Sequence, residues 1–209
     1  MADWTIIRVL EWTQSYFTSR FQEHSQGQET LPRPATRVDS PRLTAEILLA
    51  HTLGLERLDL YLQHDRPLEA GELSRFKSLI RRRAAGEPVA YLTGEKGFYE
   101  SDFRVGKGVL IPRPDTETLV EEALAVLADR SGLKVLDLGT GSGAIIVSLA
   151  KAAPDHRYFA LDLSVKALQT AALNSRCLAD GRVHFFAASW FEALAPASRF
   201  DLILSNPPY

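Results

Sequence analysis

The stretch Lys134-Val135-Leu136-Asp137-Leu138-Gly139-Thr140-Gly141-Ser142-Gly143-Ala144 decides the fold. Its first five residues are a short, largely apolar strand signal, and three glycines then break the run. Ala144 to Ala153 reads as a helix. Strand, glycine loop and helix together open a βαβ unit. The alternation continues downstream. Arg157 to Leu161 is a strand, and Val165 to Ala179 a helix with Ser164 as N-cap. Arg182 to Ala187 and Phe200 to Leu204 are two more strands. Near-continuous apolar strands separated by helices predict a parallel sheet covered on both faces.

Upstream the pattern differs. Trp4, Ile7, Val9, Leu10 and Trp12 recur at helical spacing. Arg20 to Ser40, with Gly27, Pro32 and Pro34, reads as a long polar loop. Ser40-Pro41 is an N-cap followed by proline, and the stripe Leu43, Ile47, Leu48, Leu49 stops near Gly54. Another helix is predicted over Gly71 to Ala85. Tyr91 to Gly94 and Phe98 to Val105 read as a β-hairpin, and Thr116 to Asp129 as a helix. The expected organisation is a helical domain over 1–87, a hairpin linker over 88–108 and an α/β domain over 109–209.

The chain has 209 residues, 45% hydrophobic and 24% charged, with a formal charge of −2. No apolar run approaches the roughly 18 residues of a membrane span, and the N-terminus lacks signal-peptide character. Cys177 is the only cysteine, so neither an intramolecular disulfide nor a cysteine-rich metal cluster can form. The balance of charge argues against a general hold on nucleic acid. His24, His51, His64, His156 and His184 show no metal-ligand spacing, and no metal site is expected. The cluster Arg75, Lys77, Arg81, Arg82 and Arg83 reads as a solvated helix face or as a contact to RNA or an acidic partner. Cys177 is expected in the core.

Three features carry chemistry. The glycines of Asp137 to Ala144 let a ligand approach the backbone at a helix N-terminus. No Lys-Ser or Lys-Thr follows, which argues against a phosphate loop, while a dinucleotide site stays possible. Asp162 ends the next strand, where an acid accepts hydrogen bonds from both hydroxyls of an adenosine ribose; it could equally serve as a helix-start acid. These two features do not choose between a nicotinamide cofactor and S-adenosylmethionine. The third is Asn206-Pro207-Pro208-Tyr209, after the fourth strand. With the first strand central and the fourth beside it, away from the second, this tetrapeptide faces the glycine loop across the topological switch point. The Asn206 side-chain oxygen and the Pro207 carbonyl can accept the two hydrogens of a planar amide or aryl amine. That aims its lone pair at an electrophilic methyl, and Tyr209 offers a flat wall.

Asp137 to Ala144, Asp162 and the Asn-Pro-Pro-Tyr sequence resemble class I S-adenosylmethionine-dependent methyltransferases that modify nitrogen. Four segments narrow the match: Arg42-Leu43-Thr44-Ala45-Glu46-Ile47-Leu48-Leu49-Ala50-His51, Pro88-Val89-Ala90-Tyr91-Leu92-Thr93-Gly94, Ile111-Pro112-Arg113-Pro114-Asp115-Thr116-Glu117 and Asn206 to Tyr209. With these the chain resembles the protein-(glutamine-N5) methyltransferases of peptide-chain release factors, the PrmC/HemK family. The resemblance implies an α/β, Rossmann-like sheet of seven strands, of which four are written here. It implies methyl transfer from S-adenosylmethionine to the glutamine of a Gly-Gly-Gln motif. Gly139, Thr140, Gly141 and Gly143 would hold the cofactor together with Asp162 at the ribose, Trp190 on the adenine and Asn206. Asn206, Pro207, Pro208 and Tyr209 would bind the substrate, with Asn206, Pro207 and Tyr209 catalytic. The polar residues of Pro112 to Glu117 either close the pocket or cap a helix entrance. The partner would be a release factor, bound in the cytoplasm by a monomer without membrane or nucleic acid.

Two departures stand out: Ser189 where the family usually has an acid before the adenine-stacking aromatic, and the long stretch from Arg20 to Ser40. Alternative readings are an adenine-N6 methyltransferase of DNA or RNA, a nicotinamide oxidoreductase and a non-catalytic binding fragment. The first needs a basic groove, yet residues 91–209 carry 12 basic against 14 acidic side chains. Because the sheet stops at its fourth strand, the chain is expected to lack on the order of 70 C-terminal residues.

Overall fold

The computed structural model describes residues 4–26 and 40–207. The chain divides into two compact units, residues 1–93 and 94–209. Residues 88–93, expected in the linker, therefore go with the helical unit, and the hairpin goes with the sheet.

The first unit consists of helices α1 (Ile6–Gln26), α2 (Pro41–Leu53), α3 (Asp59–Leu62), α4 (Ala70–Ala84) and α5 (Val89–Thr93). The first helix extends beyond the expected loop start at Arg20; residues 27–39 of that loop lie outside the described residues. Its buried face is Ile6, Val9, Leu10, Thr13 and Phe17, whereas Trp4 and Trp12 are exposed. The expected face was thus rotated, because indole rings were counted as core. Helix α2 starts as predicted, with the Ser40 hydroxyl accepting from the Leu43 N–H, and ends at left-handed Gly54. Leu48, Leu49, Leu60, Phe76 and Ile80 close the core of this unit. Tyr91 to Thr93, read as a strand, are helical. Pro88 supplies the start of that turn: its carbonyl accepts from the N–H groups of Tyr91 and Leu92.

The second unit opens with the antiparallel pair β1 (Glu95–Phe98) and β2 (Ser101–Arg104), followed by a 3-10 turn (Pro114–Thr116) and α6 (Glu117–Leu127). Then come β3 (Lys134–Leu138), α7 (Ala144–Ala152), β4 (Arg157–Asp162), α8 (Val165–Leu178), β5 (Val183–Ala187) and β6 (Leu202–Ser205). The sheet is parallel, in the order β5-β4-β3-β6. This is the order that the switch-point argument requires.

Val135, Tyr158, Ala160, Val183 and Leu204 pack with α6 and α7 residues such as Val120, Ala123, Ile146 and Leu149. Leu136, Leu138 and Leu161 belong to a separate cluster with Phe159, Phe186, Leu194 and Phe200. Two of those residues come from the irregular segment between β5 and β6, so among the described residues a loop, not a helix, covers that face. Cys177 is exposed, contrary to expectation. The buried face of α8 is Ala167, Leu168, Ala171, Asn174 and Ser175, and position 177 falls outside that stripe.

Candidate active site

The register gathers the site at the carboxyl ends of four strands. Leu138 is paired with Leu161 on one side and with Ser205 on the other, and Asp162 is paired with Ala187. The residues that follow, Gly139, Leu163, Asn206 and the Ser189-Trp190 pair, therefore emerge side by side. Ser205 Oγ donates to the Leu138 carbonyl at 2.9 Å, fastening the two strand ends next to Asn206.

The glycine loop is held by its neighbours. The N–H groups of Gly139 and Thr140 both donate to the Leu161 carbonyl at 2.9 Å. The Gly141 N–H donates to Asp162 Oδ2 at 2.9 Å, and the Ser164 N–H donates to Asp162 Oδ1 at 2.8 Å. Asp162 thus joins loop and helix start, and each carboxylate oxygen keeps a further lone pair for a ligand. Gly139 and Gly141 have φ of +72° and +58°, and a Cβ at either would meet nothing within 4 Å. Both requirements of the loop are visible there: a left-handed backbone and open space in front of it. Gly143 is different. A Cβ there would stand 3.0 Å from the Ala171 Cβ and 3.2 Å from Val147 Cγ2, so this glycine serves the packing of α7 on α8.

Asp137 lies beneath the loop, fully buried, and accepts from Thr140 Oγ1 at 2.6 Å. Burial pushes its carboxyl up to about 7; the Thr140 hydrogen bond opposes that rise and the Asp162 charge adds to it. Its Oδ1 has no hydrogen-bond partner among the described residues.

A cleft of about 350 Å³ runs over this loop, within the usual range of ligand sites. It is lined by Gly139, Thr140, Gly141, Asp162, Trp190, Asn206 and Pro207, so most of the expected residues converge. Trp190 is 54% exposed and has φ of +46°. Leu163, 77% exposed, lines the same cleft. It was missed because a leucine after a strand carries no chemical signal. Phe98 of the hairpin also lines the cleft, so the expected linker contributes a wall. Pro208 and Tyr209 lie outside the described residues.

A second cleft, also about 350 Å³, is lined by Leu110, Arg113, Asp115, Thr116, Ser205, Asn206 and Pro207. Leu110, Arg113, Thr116, Asn206 and Pro207 belong to both clefts and form their shared wall. The Asn206 Nδ2 donates to Thr116 Oγ1 at 2.9 Å. The segment Pro112 to Glu117 therefore borders the site. It also supports the hairpin, since Glu117 Oε1 accepts from the Tyr99 N–H at 3.0 Å. Among the described residues no group of His, Cys, Asp and Glu could hold a metal ion, and no helix is long and apolar enough to cross a membrane.

Family models agree with this division. Residues 27–94 match a PrmC N-terminal domain, and residues 129–208 match a methyltransferase domain. The second unit, with its parallel sheet, glycine loop and acid-ended β4, is a methyltransferase domain. Release factor glutamine methyltransferases are similar along most of the chain. The one from Burkholderia pseudomallei is 47% identical over 86% of this chain and 67% of its own length. Those of Rhodopirellula baltica and Chlorobaculum tepidum are 43% and 40% identical, each over 99% of this chain and over 66% and 68% of their own lengths. The chain belongs to the release factor glutamine methyltransferase family, and it spans about two thirds of the length of these relatives. Among solved structures, a precorrin-6y C5,15-methyltransferase from Geobacter metallireducens overlays with a TM-score of 0.41 and 20% identity, over 49% of this chain and 53% of that one.

Proposed function

We propose that this chain transfers a methyl group from S-adenosylmethionine to the side-chain amide nitrogen of the glutamine in a release factor's Gly-Gly-Gln motif. The observation that carries the reading is the shared wall: Asn206 and Pro207 stand between a cleft floored by the glycine loop and a second, polar-edged cleft.

The residues present fit the cofactor. Open space over left-handed Gly139 and Gly141 suits a close-lying methionine portion. Asp162 retains acceptor capacity for two ribose hydroxyls. Leu163 and Trp190 offer apolar surface for an adenine, and Ser189 a hydroxyl for its amino group. When bound, the cofactor supplies an electrophilic methyl.

The chain's own residues would do the rest. Asn206 would hold an amide N–H through its side-chain oxygen and Pro207 the other through its carbonyl. Both acceptors stabilise the positive charge that grows on a nitrogen being alkylated. Fixing the amide this way also supplies orientation, which a weakly nucleophilic amide nitrogen needs more than a strong nucleophile does. No side chain has to remove a proton before transfer, because the alkylated nitrogen is itself acidic. In this reading the partner is the protein substrate, met in the cytoplasm by a monomer without nucleic acid.

The test is incubation with methyl-labelled S-adenosylmethionine and, separately, a release factor bearing Gly-Gly-Gln or an adenine-containing oligonucleotide. Label is expected in the glutamine; label in the oligonucleotide alone overturns the reading. Asn206→Ala is expected to lower transfer by roughly 100-fold or more, the usual loss for a preorganised polar contact to the reacting group, while cofactor affinity stays within about threefold.

A further inference from the structure

Thr116 occupies the N-cap position of α6, where threonine ordinarily accepts a hydrogen bond from the N–H two or three residues on. Here it makes no such bond. Its backbone, at φ −77° and ψ −14°, is already helical because the 3-10 turn Pro114–Thr116 runs straight into α6. Cap geometry is thereby denied, and the hydroxyl oxygen accepts instead from Asn206 Nδ2, 90 residues away in sequence.

The turn presenting it is stiff. Pro112 and Pro114 fix two φ angles, and the Thr116 N–H donates to the Arg113 carbonyl at 3.0 Å. The next residue, Glu117, is tied to the hairpin through Tyr99. On the other side, Asn206 follows a strand end secured by Ser205 on Leu138. Two rigid elements thus meet at one side-chain hydrogen bond.

A carboxamide has a donor end and an acceptor end, and rotation by half a turn exchanges them. The N–H of a substrate amide donates, so it needs the oxygen. With Nδ2 held by Thr116, Oδ1 is left as the presented end, and among the described residues it accepts no hydrogen bond. We infer that Thr116 is a positioning residue: its hydroxyl, accepting from Nδ2, anchors the Asn206 carboxamide with its oxygen turned to the substrate amide. This rests on the glutamine reading above and adds what orients the clamp. It also accounts for threonine at a helix start that receives no cap from it.

Thr116→Val keeps the shape and removes the hydroxyl; Thr116→Ser restores it. For Thr116→Val, kcat on the release-factor glutamine is expected to fall by roughly 10- to 100-fold, with KM for S-adenosylmethionine within about threefold. Thr116→Ser is expected to stay within about threefold of the wild type. Adding Thr116→Val to Asn206→Ala is expected to cost little more, since the group being oriented is gone. A kcat unchanged in Thr116→Val, or a full additional loss in the Asn206→Ala background, overturns the inference.

One measurement needs no substrate. The Asn206 side-chain NH2, followed by 15N NMR in the ligand-free protein, is expected to exchange slowly in the wild type and rapidly in Thr116→Val. Equal, fast exchange in both overturns the hydrogen bond itself. A wild type that shows slow exchange but never methylates glutamine overturns the substrate reading instead, and the proposed role with it, leaving the hydrogen bond standing.

Discussion

Two buried carboxylates set the pH response of this chain in opposite directions. Glu46 on α2 is only 2% exposed, and burial alone would raise its carboxyl. Hydrogen bonds from Tyr61, from Arg42 at 2.7 Å and from Arg57 at 2.9 Å outweigh burial and hold it below the ordinary value. A depressed carboxylate stabilises the fold above its unfolded value, and that contribution is lost as pH falls through the folded value. Glu46→Ala leaves Arg42 and Arg57 without their carboxylate; both are partly exposed and can be solvated, so the expected cost is about 1 to 2 kcal/mol at pH 7 in urea unfolding. Asp137 behaves the other way. Its rise from 3.8 to about 7 means that the native state keeps a proton the unfolded chain gives up. Its contribution is therefore complete below pH 4 and lost as pH rises towards 7, by on the order of 2 to 4 kcal/mol. Unfolding midpoints at pH 5 and pH 8 check this: in Asp137→Asn the fall between those values is expected to shrink by about two thirds of that amount, the part that accrues above pH 5. An unchanged pH slope would mean that Asp137 is ionised in the folded protein throughout.

Among the elements, the contact of α7 with α8 shows how one loop serves two purposes. Gly139 and Gly141 face open space, whereas Gly143, at φ +80°, leaves no room for a Cβ beside Ala171. Gly143→Ala is expected to destabilise by about 2 to 3 kcal/mol, combining a left-handed backbone with overpacking. Gly132→Ala is the control: φ is +71° there and nothing lies within 4 Å, so only the backbone cost of about 1 kcal/mol is expected. Urea midpoints of the two variants separate packing from conformation. The glycine loop, the acid ending β4 and the alternation of strand and helix were readable in the sequence from local pattern, whereas the place of Trp190 beside them came only from the family resemblance. The rotated face of α1, the helical turn at Tyr91 and the exposure of Cys177 were not. Aromatic and small residues carry no fixed address, and tertiary neighbours decide which side of a helix is dry. The different duties of Gly143 and Gly141, two residues apart, were illegible because α8 supplies the difference. The Thr116–Asn206 bond was out of reach for the same reason, since no spacing rule links a helix start to a strand end 90 positions later.

Across the whole molecule, each unit closes a core of its own. Leu48, Leu49, Phe76 and Ile80 are buried entirely among residues of the first unit, while Val135, Ile146, Leu149 and Tyr158 are buried among those of the second. Stability that is stored in separate cores can be lost separately, as local and sub-global unfolding. Leu48→Ala, in the full chain, deletes a fully buried side chain from the first core and is expected to cost about 3 kcal/mol there. Amide hydrogen exchange is the measurement that sees both units at once. Helices α2 and α4 are expected to exchange roughly 100-fold faster in the variant, the factor that corresponds to such a loss. Strands β3 and β4 are expected to keep their protection. Val135→Ala should reverse the pattern, accelerating β3, β4 and α7 and sparing α2. If either substitution speeds exchange equally in both units, the chain unfolds as one cooperative body, and changes in the helical unit would then alter the methyltransferase site through global stability. If the pattern separates, the helical unit can vary in sequence without loosening the glycine loop.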